Sequence, residues 1–86
     1  MKNKTRKERL CDACIERKKY REANDHTVVC NGHVEWYYYV TKIADFDFTK
    51  KVCRLYALRY SKSTTVRHNY IKNRLAGTNW KIIEEQ

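Results

Sequence analysis

Two short ligand-type pairs constrain this chain more than any other feature. Cys11-Asp12-Ala13-Cys14 and Cys30-Asn31-Gly32-His33 form a C-x2-C and a C-x2-H with fifteen residues between them. Each pair can bracket a tight turn, so that two ligands from each turn reach one ion, and the spacing lies within the range used for tetrahedral zinc. Asn31-Gly32 is also a two-residue hairpin signal, because both positions accept positive φ. Three readings compete for the four cysteines. They bind metal, they form disulfides, for which three pairings exist, or they are small core residues with His33 exposed on a strand. His26 and Asp12 are substitutes for His33 without the paired spacing, and Cys53 falls in an apolar pattern that suits a core. The spacing favours a structural Zn2+ held by Cys11, Cys14, Cys30 and His33. Four protein ligands leave no open position for a reactive water, so such a metal supports the fold rather than catalysis.

Size makes that support plausible. A chain of 86 residues buries only about 60–65% of the surface its unfolded form exposes. Hydrophobic residues at 42% and aromatics at 13% nevertheless argue against a disordered tail. No apolar run approaches the roughly 20 residues that span a bilayer. Residues 1–9 are basic and lead into Cys11 without an apolar stretch, so no secretory signal is expected, and the expected location is a reducing cytoplasm or nucleoid. Enzymatic function is not expected either. His26, His33 and His68 are scattered, and there is no Gly-rich loop, Ser/His/Asp ordering or site with paired carboxylates.

The pattern along the chain predicts a flexible basic arm over residues 1–9 and a helix over 14–23. Strands are expected at 26–30 and 33–43. In the second strand Val34, Trp36, Tyr38 and Val40 share one face, and Tyr37 and Tyr39 the other. Asp45 and Asp47 suit a turn that caps a helix from Phe48, since Phe48, Val52, Leu55 and Tyr56 recur at helical spacing. A strand over 52–60 alternates as well. Residues 65–76 read as a helix closed by Gly77, and 78–86 as a last helical turn with Trp80, Ile82 and Ile83 docking back. The expected fold class is α+β. A zinc-stabilised β-hairpin module over 10–44, of zinc-ribbon or treble-clef type, is followed by a basic helical half over 45–86 with a helix-turn-helix outline. Arm, module and helical half make one compact domain.

Tyr60-Ser61-Lys62-Ser63-Thr64-Thr65-Val66-Arg67, then Ile71-Lys72-Asn73-Arg74-Leu75-Ala76-Gly77 and Trp80-Lys81-Ile82-Ile83-Glu84-Glu85, resembles the short helix-turn-helix tails of phage proteins and homing endonucleases. The resemblance covers residues 50–86. It implies a Ser/Thr-rich turn opening a recognition helix, a Gly and Trp closing it, and a phage or mobile-element origin. No His-Asn-His or Gly-Ile-Tyr nuclease run accompanies it.

Charge supplies the partner. Residues 50–76 hold eight cations and no acid, whereas residues 23–49 hold one cation and four acids. Such a block neutralises phosphates, and Lys50, Lys51, Arg54, Arg59, Lys62, Arg67, Lys72, Asn73 and Arg74 are its candidate contacts. Asn69, Asn73 and Asn79 are the side chains best suited to base edges. Trp36, Tyr37 and Tyr39 either stack on unpaired bases or fill the core. The expected function is zinc-stabilised binding of DNA or structured RNA, regulatory rather than catalytic. The alternative is a small phage inhibitor or adaptor on a host polymerase, nuclease or ribosome, acting alone or together with RNA. Oligomeric state and sequence preference are left open.

Overall fold

A computed structural model describes residues 4–56 and 62–85. Its first element begins at a capping box. The Thr5 hydroxyl accepts the Glu8 backbone N–H at 3.2 Å, and the Glu8 carboxylate accepts the Thr5 N–H at 3.3 Å. Two otherwise orphaned donors are thereby satisfied, and helix α1 runs from Arg6 to Ile15. Leu10, Cys11 and Cys14 fall on its buried face. The helix stops because Arg17 adopts a left-handed φ of 57°. The Arg17 and Lys18 N–H groups then turn back to the carbonyls of Cys14 and Ala13, at 3.2 and 2.8 Å. This is the Schellman closure, with an arginine where glycine is usual. The helix expected over 14–23 is therefore corrected to 6–15, which takes in residues 6–9 of the expected arm, whose residues 1–3 lie outside the described residues.

The remaining elements are β1 (Arg21–Glu22), β2 (Asp25–Cys30), β3 (His33–Tyr38), β4 (Thr41–Asp47), β5 (Val52–Tyr56), helix α2 (Lys62–Leu75) and β6 (Lys81–Glu85). All six strands form one sheet in sequence order. Neighbours are antiparallel except β5 and β6, which are parallel. A parallel pair needs a crossover, and α2 supplies it. The expected fold class is overturned at this point. No separate zinc hairpin module precedes a helical half, because the hairpin is the middle of a continuous sheet. Residues 52–56 are strand rather than the first helix of a helix-turn-helix, and 81–85 are strand rather than a helical turn. Short apolar runs fit either period, and here the strand pairing won. Cys53 and Leu55 alternate onto the core, opposite Phe46 and Ala44.

Both helices pack on one face of the sheet and on each other. Leu10, Cys11 and Cys14 from α1, Val34 and Trp36 from β3, Ile43, Ala44 and Phe46 from β4, Cys53 and Leu55 from β5, and Ile71 and Leu75 from α2 form a single buried cluster. A β-bulge between Trp36 and Tyr37 shifts the β3–β4 register. It lets both Ile43 and Ala44 face inward. Among the described residues, no helix is long and apolar enough to cross a membrane.

Two polar groups are locked into this core. Arg67 on α2 is 2% exposed and Asp25 on β2 is 1% exposed. The Arg67 Nε and Nη2 donate to Asp25 at 2.6 and 2.9 Å, and Trp36 Nε1 donates to the same carboxylate at 2.9 Å. His68, the next residue, places Nε2 at 2.8 Å from the Ile43 carbonyl, which makes that nitrogen the donor. Burial lowers the His68 pKa below its ordinary 6.5, more than the Ile43 hydrogen bond raises it. Below 6.5 the unfolded chain binds a proton that the folded chain refuses, so this residue destabilises the fold as pH falls toward its folded pKa. Urea unfolding at about pH 7 and about pH 5 should show lower stability in acid. The variant His68→Gln should flatten that slope, and an unchanged slope would assign the acid sensitivity to other groups.

Candidate nucleic-acid interface

The predicted metal ligands do not converge. Cys11 and Cys14 lie on the core face of α1, at 3% and 0% exposure, while Cys30 is exposed at the end of β2. His33 opens β3 and holds its Nδ1 3.2 Å from Asp45 Oδ1. Among the described residues, no three His, Cys, Asp or Glu side chains come together in a way that holds a metal ion. Metal ligation needs thiolates. Desolvation pushes the Cys11 and Cys53 thiols up to about 12, and Cys14 well above its ordinary value. As placed, these donors do not meet around one ion among the described residues. Cys11, Cys14 and Cys53 behave as small apolar residues, which is the core reading of the cysteines.

The predicted basic face is also divided. Arg67 is sequestered on Asp25 and presents nothing to a ligand. Trp36, fully buried, cannot stack on a base. Arg54 pairs with Glu85 at 2.8 Å, Lys72 with Glu84 at 2.8 Å, and Arg74 with Asp12 at 3.4 Å. Asn73 is exposed beside Arg74 on α2. Arg59 lies outside the described residues. Lys62 starts α2 and Lys50–Lys51 lie near its far end, so a helix of 14 residues, roughly 21 Å long, separates them. Tyr39 is 56% exposed in the turn between β3 and β4.

The sheet face turned away from the helices balances its own charge. Strand register aligns Val28, Glu35, Asp45, Arg54 and Ile83 in one row across β2 to β6. On this face Lys42 pairs with Glu35 at 3.1 Å, His33 faces Asp45, and Arg54 pairs with Glu85. Tyr37 stacks on His26 with centroids 5.1 Å apart and donates its hydroxyl to Glu35 at 3.2 Å. Alternating pairs of this kind suit a solvated surface better than a polyanion-binding one.

A different arrangement occupies the end of the sandwich where α1 stops and β4 turns into β5. The Arg17 guanidinium carbon lies 4.3 Å above the Phe48 ring. Lys51 Nζ is 5.9 Å from the same ring and 5.3 Å from that of Trp80. The two rings meet edge to face, with centroids 5.0 Å apart. Lys50 is exposed next to Lys51. Its turn is held by Asp47, whose carboxylate accepts the N–H groups of Lys50 and Thr49 at 3.1 and 3.0 Å. The backbone hydrogen bond from Lys50 keeps the Asp47 pKa below its ordinary value, so that acid stays ionised as a turn cap. The other nearby acid, Glu16, pairs with Lys18. Arg17, Lys50 and Lys51 have no carboxylate partner among the described residues.

Backbone geometry separates these cations from an ordinary solvated face. Arg17 and Lys51 both adopt left-handed conformations, with φ of 57° and 56°. Glycine is the relaxed choice there, and a side chain costs on the order of 1 kcal/mol. Both positions carry a cation, and both cations converge on one aromatic ring. Sequence reasoning selected Lys50 and Lys51 but missed Arg17. Arg17 lies in the N-terminal basic block, and only the Schellman turn brings it to Phe48, 31 residues later in sequence. No family model, curated protein or solved structure matches the chain.

Proposed function

We propose that the chain is a nucleic-acid-binding module whose contact surface is the end of the sandwich bearing Arg17, Lys50 and Lys51. The observation that carries this reading is the convergence of Arg17 and Lys51 on Phe48. Two cations without carboxylate partners stand at positions where the backbone favours glycine. Aromatic contact orients them without neutralising them, so their charge stays available to phosphate oxygens. Binding through phosphates releases counterions and weakens with salt, with a slope of about −0.9 per phosphate neutralised on duplex DNA. The same surface fits duplex DNA and structured RNA, since phosphate contacts position the ligand without reading its sequence.

Fluorescence anisotropy with labelled duplex DNA and with a structured RNA, at about 50 and about 200 mM salt, tests the reading. Binding to at least one should weaken with salt. The double variant Lys50→Glu/Lys51→Glu should lose about tenfold or more in affinity and reduce the salt slope by about two. Arg17→Gly should weaken binding while raising stability by about 1 kcal/mol, because it relaxes the helix end as it removes the cation. Absence of binding to both ligands at the lower salt, or unchanged affinity in all three substitutions, overturns the proposal.

A further inference from the structure

Strand β6 has one paired edge. Its register with β5 runs Val52↔Lys81 to Tyr56↔Glu85, and Lys81 N–H donates to the Lys51 carbonyl at 2.9 Å. Backbone groups of successive strand residues point to opposite edges, so Lys81, Ile83 and Glu85 bond to β5 while Ile82 and Glu84 turn their N–H and C=O groups outward. Among the described residues no strand covers that outer edge. Unpaired strand edges are templates for another chain.

We infer that the outer edge of β6 pairs antiparallel with β6 of a second copy of this chain, about a two-fold axis through Ile83. The sequence Lys81-Ile82-Ile83-Glu84-Glu85 is self-complementary in that register. Ile82 and Glu84 face Glu84 and Ile82 of the other copy as hydrogen-bonded pairs, and Ile83 faces its own equivalent. Lys81 lies opposite Glu85 on both sides of the axis. Lys81 has no carboxylate partner within its own chain among the described residues, and the second copy supplies one. Charge also excludes the neighbouring registers. A shift toward the C-terminus sets Glu84 against Glu84, where like charges directly opposite are unfavourable. A shift toward the N-terminus sets Lys81 against Ile83 and leaves it unpaired. The two-fold axis makes every off-axis contact occur twice, as in closed dimers. The start of β6 adjoins the Phe48 site, since Lys81 bonds the Lys51 backbone, but the pairing uses the opposite edge of the strand and is read by mass alone, so the inference does not rest on nucleic-acid binding.

Sedimentation equilibrium of the full chain, from micromolar concentrations up to about 1 mM, reads the association directly. The wild-type mass should rise from 10.5 kDa toward twice that value. Lys81→Glu and Glu85→Lys should each remain monomeric at every concentration, because each sets like charges across the axis. The double variant Lys81→Glu/Glu85→Lys should dimerise again, although Glu85→Lys also removes the Arg54 ion pair. A mixed sample of isotope-labelled and unlabelled wild type should give an intermolecular contact between the Ile83 Hα protons of the two copies. A monomer at every concentration, a dimer indifferent to the single reversals, or a dimer without the Ile83 contact overturns the inference.

Discussion

Replacing Arg67 with methionine should cost about 3–5 kcal/mol of folding stability, the largest effect expected of any single charged residue here. The reason is the charge left behind. Asp25 is 1% exposed and its carboxylate takes two guanidinium hydrogen bonds and one from Trp36. Burial alone acts to raise the Asp25 pKa, but the hydrogen bonds from Arg67 and Trp36 outweigh it and hold the carboxyl below its ordinary 3.8. The pair thus contributes stability that is fully present above about pH 3.8 and is lost as acid titrates Asp25. Without Arg67 the ionised carboxylate stays buried with Trp36 as its one hydrogen-bond donor and the longer Arg6 contact at 3.8 Å as its remaining ion pair, and the Tyr38 ring loses the guanidinium 3.9 Å above it. For a domain of this size, whose total stability is of order 5–15 kcal/mol, that loss is a large share of the whole.

The double variant Asp25→Asn/Arg67→Met separates a stranded charge from lost packing. Asparagine still accepts from Trp36 but carries no charge, so the double variant should be more stable than Arg67→Met alone. Urea unfolding of both variants measures the difference. Nucleic-acid affinity, corrected for the folded fraction, should remain at the wild-type value, because Arg67 cannot reach a phosphate. A loss below about 1 kcal/mol in Arg67→Met would mean that the pair contributes no more than an exposed one.

The features legible in the sequence are those set within a few residues of themselves. Asn31-Gly32 announced the β2–β3 hairpin, with Gly32 at φ 72°. The alternation of Val34 and Trp36 marked the buried face, and Gly77 at φ 77° marked the end of α2. The capping box at Thr5 and Glu8 was equally local, but the surrounding cations suggested an arm and hid it. The end of β3 was not legible. Tyr37-Tyr38-Tyr39-Val40 reads as uninterrupted strand, yet Tyr39 takes a φ of 57° and Val40 is 91% exposed in the turn. The eight-cation block predicted a partner from composition, but which of its members remain free depends on carboxylates brought from elsewhere. Asp25 is 42 residues from Arg67, Asp12 is 62 from Arg74, and Glu85 is 31 from Arg54. No window along the chain contains those pairs.

Cysteine substitution distinguishes most sharply between a packed fold and a metal-held one. A chain held by zinc at Cys11, Cys14, Cys30 and His33 should lose its fold as readily through Cys30→Ser as through Cys14→Ser, because each removes one of four ligands. The packed arrangement predicts a different order. Cys14 and Cys53 are 0% exposed within the core cluster, where serine exchanges a sulfur that packs as an apolar atom for a hydroxyl in need of a partner. Each should cost roughly 2–3 kcal/mol. Cys14→Ala should cost less than Cys14→Ser, because it leaves a small void and no stranded donor. Cys30→Ser, at an exposed strand end, should change stability by less than about 0.5 kcal/mol. A chelator should leave the melting temperature of the wild type unchanged. Alkylation gives an independent readout, since the thiolate is the reactive form. With Cys11, Cys14 and Cys53 buried and their pKa values raised, iodoacetamide should modify Cys30 first in the native protein and reach the other three only on unfolding. Equal losses for Cys14→Ser and Cys30→Ser, together with protection of Cys30, would show that the hairpin tip is held by a bound ion rather than by its register in the sheet.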